Sequence, residues 1–187
     1  NYNDIVSFIR DNVITLTKPD AFGNGLSIYG SRKLNVSRNT VQRAPGGPIG
    51  RVAFQLIENS DCDFIENRVF GSNIQGFSIG GGLNNLYTRN RVESGAEFGF
   101  GVGNSTGFFC GNITNTSYLG FGFWGSCMSS FRCNEMTTTG LYLSADAVIG
   151  EQEYAGNKWI NSGAYHASSN QNTILLSQFK VEPPAPN

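Results

Sequence analysis

One asparagine recurs along the chain at a nearly constant interval, and this recurrence restricts the fold more than any other feature. The seven copies are Asn12, Asn39, Asn67, Asn90, Asn112, Asn134 and Asn157. Successive copies lie 27, 28, 23, 22, 22 and 23 residues apart. A sustained period of this length is typical of repeat proteins, in which each repeat buries its apolar face against its neighbours.

Apolar residues accompany each asparagine at fixed offsets. Three places before it stand Ile9, Val36, Phe64, Tyr87, Phe109, Phe131 and Tyr154. Two places after it stand Ile14, Val41, Val69, Val92, Thr114, Met136 and Trp159. A second motif, a small residue followed by an apolar-x-apolar triplet, occurs at 25–28, 53–56, 76–79 and 120–123, and with small shifts at 99–102 and 140–143. Such alternation predicts short strands with one buried face.

Stacked coils explain both motifs. We predict an all-β fold, a right-handed single-stranded parallel β-helix of about seven coils with an inward asparagine ladder. The ladder is expected at a bend, where asparagine tolerates left-handed backbone conformations. Leucine-rich repeats share this period, but they need several leucines per repeat and usually a helical return, and the chain has few leucines and no 3.6-residue periodicity.

The repeats over residues 5–160 resemble the pectate-lyase-like β-helix repeats of secreted polysaccharide enzymes and surface proteins. A second likeness is to the tail of β-helix regions in large Bacteroidota surface proteins. The residues that carry it are 149–152, 156–159, 164–167 and 179–181. The first resemblance is specific for architecture but not for activity. Together the two imply a secreted or cell-surface location.

The chain divides into three predicted parts. Residues 1–160 form the parallel β-helix, residues 161–182 a C-terminal capping segment, and residues 183–187 the proline-rich start of a linker or tail. The chain begins at Asn1 without a signal peptide, so we expect a mature form or an excised segment. No amphipathic helix precedes Ile5, Phe8 and Ile9, so we expect a neighbouring domain or another copy to cover the N-terminal coil.

Composition excludes two classes of partner. Only 14% of residues are charged, the formal net charge is -1, and no block of lysine or arginine occurs, which excludes a nucleic-acid partner. No apolar run reaches the roughly 18 residues needed to span a bilayer, so no membrane span is predicted.

Polysaccharide enzymes of this fold class need carboxylates in register on adjacent coils, as calcium ligands or as acid and base. Only Glu58, Asp61, Asp63 and Glu66 are dense, and they belong to one coil. We therefore predict no catalytic residue, no metal and no cofactor. The favoured function is a non-catalytic structural or adhesive β-helix module of a secreted or cell-surface bacterial protein, part of a filament or multidomain adhesin. The alternative is a polysaccharide lyase, a glycoside hydrolase or a glycan-binding domain.

Four aromatic residues do not fit the inward columns and are candidate ligand-binding residues for a polysaccharide. They are Tyr29, Tyr118, Trp124 and Tyr142. The outward position within the second motif is mostly small, which predicts a flat face. That face suits either stacking on sugar rings or packing against a neighbouring domain.

The cysteines and the charges next to the ladder also lead to predictions. Cys110 and Cys133 lie 23 residues apart, so adjacent coils bring them within reach of a disulfide, with Cys127 and Cys133 as the second option. Cys62 is expected to be an unpaired core thiol. The position before the ladder asparagine alternates in charge between coils, which predicts a stabilising charge ladder. Its members are Asp11, Arg38, Glu66 and Arg89.

Overall fold

The structure is a computed structural model that describes residues 7–17, 24–45, 51–71, 74–137, 139–144, 146–149, 152–153, 156–160, 167–169 and 179–180. Every helix or strand in these residues is a β-strand, and every strand pairing is parallel. The chain is therefore a parallel β-solenoid, as predicted. Its right-handedness stays a prediction. The described residues contain no helix that is long and apolar enough to cross a membrane.

Each coil contributes strands to three stacks. The first contains β1 (Ser7–Arg10), β4 (Leu34–Ser37), β7 (Asp63–Ile65), β10 (Asn85–Thr88), β12 (Gly107–Cys110) and β14 (Ser130–Arg132). The second contains β2 (Val13–Leu16), β5 (Thr40–Arg43), β8 (Arg68–Phe70), the starts of β11 (Arg91–Gly103) and β13 (Ile113–Trp124), β15 (Glu135–Thr137) and β18 (Lys158–Ile160). The third contains β3 (Leu26–Tyr29), β6 (Arg51–Ile57), β9 (Ile74–Gly80), the ends of β11 and β13, β16 (Thr139–Leu143) and β19 (Ala167–Ser169).

The corner between the second and third stacks varies in length from coil to coil. Strand β2 ends at Leu16 and β3 begins at Leu26, β5 ends at Arg43 and β6 begins at Arg51, and β8 ends at Phe70 and β9 begins at Ile74, whereas β11 and β13 each belong to both stacks. The strand register nevertheless stays in step: Val41 pairs with Val69 and Phe54 pairs with Phe77.

The predicted columns are in register. The first runs from Ile9 through Phe64 to Phe131 and the second from Ile14 through Val92 to Trp159. Tyr154, the last predicted member of the first column, lies outside the described residues.

Flat aromatic rings fill the core between the stacks. Phe54, Phe77, Phe100 and Phe121 stack with ring centroids 4.7, 4.5 and 4.6 Å apart and nearly parallel planes. A second stack joins Phe64, Tyr87 and Phe109 at 5.1 and 4.5 Å. These distances are close to the strand spacing of about 4.8 Å, so each coil buries its aromatic ring against the ring of the next coil, which holds the coils in register.

The small residue that opens the second motif is required by space. A Cβ on Gly99 would lie 2.3 Å from the Gly120 carbonyl oxygen and 2.6 Å from Cγ2 of Thr114. A Cβ on Gly76 would lie 2.7 Å from Cγ2 of Val92. The backbone therefore crosses directly over the second column of core residues, and a side chain would separate the two.

Three series of left-handed residues lie at the bends of the coils. The series between the first and second stacks contains Asp11, Arg38, Glu66, Arg89, Gly111, Cys133 and Gly156, with φ between 53° and 65°. The two series between the third and first stacks contain Gly30, Glu58, Gly81, Asn104 and Gly125, and Lys33, Asp61 and Asn84. The ladder lies at a bend, as predicted, but the left-handed conformation that asparagine tolerates is not used by the ladder asparagines. The residue before each asparagine makes the turn, and the asparagine follows with an ordinary backbone conformation that aims its amide inward.

The C-terminal region extends the solenoid in part. Strand β19 pairs with β16, so Ala167 follows Leu141 in the third stack, and β20 (Phe179–Lys180) pairs with β17 (Gln152–Glu153). The other residues of the predicted cap, including Ile174 and Leu175, and the predicted linker at 183–187 lie outside the described residues. The capping role stays a prediction.

Candidate functional site

The asparagine ladder is continuous. Oδ1 of Asn112 accepts the backbone N–H of Asn90 (3.0 Å) and its side-chain amide (3.1 Å). The amide of Asn112 donates to the Tyr87 carbonyl oxygen (2.8 Å), within the preceding coil's strand. The same arrangement repeats in every step from Asn12 to Asn157. The asparagines from Asn39 to Asn134 are fully buried, so the ladder lies inward, as predicted.

A second series of inward polar side chains, at the start of the first stack, was not predicted from the sequence. Cys62 Sγ accepts the N–H of Leu34 (3.5 Å). Asn85 Oδ1 accepts the N–H of Cys62 (2.9 Å), and Ser129 Oγ accepts the N–H of Gly107 (3.2 Å). The residue types differ between coils, so no repeated letter reveals the series. Cys62 is a buried, unpaired thiol, as predicted, and it also accepts this hydrogen bond from Leu34.

Charged side chains beside the ladder pair across coils. Arg38 forms two hydrogen bonds with Asp11 (2.7 and 2.9 Å), and Arg89 contacts Glu66 at 2.9 Å. The hydrogen bond from Arg38 holds the pKa of Asp11 below its usual value, and the charge of Arg38 lowers it further. These pairs are exposed to solvent, so each contributes little to stability. Their role is structural, in keeping with the predicted charge ladder.

The outer face of the third stack is the candidate binding face. Its central column contains Ser27, Gln55, Ser78, Gly101, Gly122 and Tyr142. Beside it runs a flanking column of Tyr29, Ile57, Gly80, Gly103 and Trp124. The glycines and serines leave the middle of this face without large side chains, so it is flat over several coils, with aromatic residues at both ends.

Trp124 and Tyr142 form one end of the binding face. Their ring centroids lie 6.2 Å apart, with the planes tilted by 55°. A Cβ on Gly122 would lie 2.5 Å from Cη2 of Trp124, and one on Gly101 would lie 3.4 Å from Cζ3. The indole ring therefore lies along the face, over the glycines of the central column. Trp124 is 38% exposed, so one ring face is available to a ligand.

Tyr29 stands at the other end of the face among polar side chains. Its hydroxyl donates to Oε1 of Gln55 (2.6 Å). The same oxygen accepts hydrogen bonds from Ser27 Oγ (3.5 Å) and from the Asn24 amide. Tyr29 and Trp124 share a column four coil steps long, so they lie about 19 Å apart.

Tyr118 does not join the other three predicted ligand-binding residues. It is exposed at the corner before the third stack, where its ring meets Phe98 edge to face at 5.3 Å. The structure thus brings together Trp124 and Tyr142, places Tyr29 on the same face, and leaves Tyr118 apart. Side-chain amides at Gln55 and Asn24 were not predicted, since they carry no signal beyond an alternating strand pattern.

The four clustered acidic residues are spread around one coil. Glu58, Asp61 and Glu66 occupy three different left-handed bends, and Asp63 lies in β7. Asp61 contacts Arg32 at 3.5 Å and Glu66 contacts Arg89, so two of the four carboxylates are held by arginines. Among the described residues, no group of three histidine, cysteine or acidic side chains is placed to hold a metal ion.

The four cysteines are free thiols. Cys62 and Cys127 are buried, whereas Cys110 is half-buried and Cys133 exposed. Cys110 and Cys133 are neighbours on adjacent coils but are not bonded, so the predicted disulfide stays a prediction.

No known protein family and no curated protein matches this sequence.

Proposed function

We propose that the chain is a non-catalytic structural or adhesive module of a secreted or cell-surface bacterial protein, part of a filament or a multidomain adhesin. The observation that carries the proposal is the unbroken ladder from Asn12 to Asn157 beside two stacks of aromatic rings. Every coil is tied to the next by buried amides and parallel strands. A rod built in this way suits the display of a surface at a fixed position and orientation.

The acidic residues support a non-catalytic function. Hydrolysis of a glycoside uses two carboxylates that face one substrate at a separation of about 5 to 10 Å. Here three of the four clustered carboxylates point from separate bends, and Asp61 and Glu66 are engaged by arginines. The secreted or surface location rests on the resemblance to pectate-lyase-like repeats and Bacteroidota surface proteins.

The N-terminal coil supports a place in a larger assembly. Among the described residues, β1, β2 and β3 pair on one side only, with β4, β5 and β6. The inward residues of this coil, Ile9 and Ile14, are only half-buried, although Val36 and Val41, which follow them in the next coil, are fully buried. A neighbouring domain or another copy of the chain would cover these apolar side chains and the unpaired strand edge.

A glycan array read in parallel with a polysaccharide-cleavage assay tests the proposed function. We expect no new reducing ends and no unsaturated sugar products from any polysaccharide tested. Cleavage that disappears when Asp61→Asn, Asp63→Asn and Glu66→Gln are combined would overturn it in favour of a lyase or hydrolase. The melting temperature of the triple variant, compared with that of the unsubstituted chain, is the control that the variant is folded.

Glycan binding is the second candidate, and the aromatic pair on the binding face favours it. Sugar rings stack on exposed aromatic faces and bond to side-chain amides and hydroxyls, which are the groups that Trp124, Tyr142 and Gln55 present. A chain of several sugars would lie along the solenoid axis, from Trp124 across Gly103, Gly80 and Ser78 towards Tyr29.

Substitution of single aromatic residues tests this second candidate. For any glycan on the array that the chain binds, Trp124→Ala and Tyr142→Ala should each weaken binding by about tenfold or more, as the loss of a central aromatic contact does in other complexes. Tyr118→Ala is the control, because Tyr118 is an exposed aromatic residue away from the pair. Equal losses for all three variants would show that the binding face is not the site.

A further inference from the structure

Two of the four cysteines differ from the others in their surroundings. Cys62 Sγ donates to the Ser60 carbonyl oxygen (3.2 Å) and Cys127 Sγ to that of Trp124 (3.2 Å), and both are buried. Each of these thiols completes a bend inside the solenoid. Among the residues that the structure describes, the thiols of Cys110 and Cys133 make no hydrogen bond to a backbone carbonyl oxygen, and solvent reaches both.

Cys110 and Cys133 lie diagonally across one coil step. Cys110 ends β12 and is in register with Arg132, the residue before Cys133. The N–H of Gly111 donates to the Arg132 carbonyl oxygen (3.2 Å), which fixes the two backbones side by side at this bend. A strand spacing of about 4.8 Å and a rise of about 3.3 Å give a Cα separation of about 6 Å. This is the separation at which disulfides form most often.

The surroundings leave room for a bond between the two sulfur atoms. The left-handed neighbours of Cys133 in its series are Gly111 and Gly156, which have no side chains. Even a Cβ on Gly156 would lie 3.6 Å from the Cys133 sulfur, which is an ordinary contact distance, so this glycine does not crowd the thiol. Burial raises the pKa of Cys110, and the neighbouring Cys133 raises it further. Cys133 is the more exposed of the two thiols, so an oxidant reaches it first.

We propose that Cys110 and Cys133 form an intercoil disulfide when the chain meets a disulfide oxidant such as oxidised glutathione. The Cys133 thiolate attacks glutathione disulfide, which forms a mixed disulfide and releases one glutathione thiolate. The Cys110 thiolate then attacks the Cys133 sulfur and releases the second glutathione. The two cysteines lose two protons and two electrons, and one glutathione disulfide becomes two glutathiones.

The bond would join two consecutive coils at the bend that also carries the ladder. It closes a loop from residue 110 to residue 133, which is one turn of the solenoid, and so restricts the unfolded chain. It would also prevent β14 and the coils after it from separating from β12. The oxidised chain should therefore resist unfolding from its C-terminal side.

Mass mapping of the whole chain after treatment with oxidised glutathione tests the proposal. We expect a loss of two hydrogens, two thiols that still react with alkylating agent after unfolding, and a tryptic pair joining residues 92–132 to residues 133–158. Because the first peptide also contains Cys127, Cys127→Ser must keep the cross-link and Cys110→Ser must abolish it. Oxidation should raise the melting temperature of the unsubstituted chain by several degrees, and Cys133→Ser should remove that rise.

Three outcomes would overturn the proposal. One is a cross-link that survives Cys110→Ser and vanishes with Cys127→Ser. The second is a stable mixed disulfide with glutathione on Cys133 and no intramolecular bond. The third is four alkylated thiols after full exposure to the oxidant. The count on the unsubstituted chain needs no variant to fold, so the result stands even where a serine substitution destabilises the solenoid.

Discussion

Asn90 donates two hydrogen bonds to one oxygen of Asn112, from its backbone N–H at 3.0 Å and from its side-chain amide at 3.1 Å. Oδ1 of Asn90 in turn accepts two from Asn67 (2.9 and 3.0 Å). Every amide in the buried part of the ladder is thus donor to one neighbour and acceptor from the other.

Removal of one amide should leave partners on both sides unsatisfied. Asn90→Ala deprives the buried Asn67 amide and N–H of their acceptor, so we expect a loss of about 1 to 3 kcal/mol in the free energy of unfolding. Denaturant unfolding monitored by circular dichroism measures this loss. Asn115→Ala, at an exposed asparagine on the next coil, is the control and should cost less than about 0.5 kcal/mol. Equal losses for the two variants would contradict a ladder that stabilises the fold.

The glycines of the second motif should differ from glycines that have space around them. Gly99→Ala places a Cβ against the Gly120 carbonyl oxygen and Thr114, so the coils must separate, at a cost of about 1 to 3 kcal/mol. Gly103→Ala is the matched control, since its Cβ would meet its nearest atoms at 3.9 and 4.0 Å. Melting temperatures of the two variants check the difference. A Gly99→Ala protein as stable as the Gly103→Ala protein would show that the close approach is not required.

The core tyrosine should be replaceable by phenylalanine. Tyr87 is fully buried between Phe64 and Phe109, and its hydroxyl lies near Asn85 without a hydrogen bond of regular geometry. Tyr87→Phe should therefore leave stability near pH 7 unchanged or raise it by up to about 1 kcal/mol. Tyr87→Leu keeps an apolar side chain but loses the ring stack, and it should be the less stable variant. A clear loss in Tyr87→Phe would indicate a partner for the hydroxyl.

The same tyrosine should make stability depend on alkaline pH. Burial raises the pKa of Tyr87 above that of an exposed tyrosine, so the phenol stays neutral in the folded chain. In the unfolded chain it ionises from about pH 10, and its contribution to stability is therefore present below that pH and is lost as the pH rises. Tyr87→Phe should lose stability less steeply than the unsubstituted chain above pH 10. Parallel curves in denaturant titrations at several pH values would contradict this.

The charge pair before the ladder should be visible in a titration. Because Arg38 lowers the pKa of Asp11, Arg38→Met should return the Asp11 pKa towards the ordinary aspartate range. The lowered pKa means that the pair stabilises the fold above the pKa of an unfolded aspartate, and that this contribution is lost as the pH falls through the folded value. Carboxyl NMR shifts against pH measure the change. Arg89→Met, which removes the pair with Glu66 two coils away, is the control and should leave Asp11 unchanged.

The sequence predicts the solenoid well because inward positions are constrained in every coil. A buried amide must meet another amide, and a ring must meet a ring, so the same residue types recur at the spacing of one turn. The bends are different. Left-handed residues such as Arg38, Glu66 and Cys133 share no residue type. Their side chains reach solvent and are not fixed by a column, so several residue types can occupy the bend at a modest cost in backbone energy.

The binding face was predicted less completely for a related reason. An outward side chain is not fixed by its column, so the sequence could not show that Trp124 lies back over Gly122 or that Tyr118 turns towards Phe98 instead. Gln55 and Asn24 become noticeable only when the fold places their amides beside Tyr29.

At the corner between the second and third stacks, nine residues of sequence separate β2 from β3, seven separate β5 from β6 and three separate β8 from β9, whereas β11 and β13 continue from one stack into the other. Length at this corner is therefore independent of register, because the ladder and the ring stacks align each coil anew. A peptide inserted at this corner would alter the surface of the solenoid there and leave the ladder and the ring stacks unchanged. The corner is where such a scaffold can accept foreign sequence, by evolution or by grafting, with the least cost to folding.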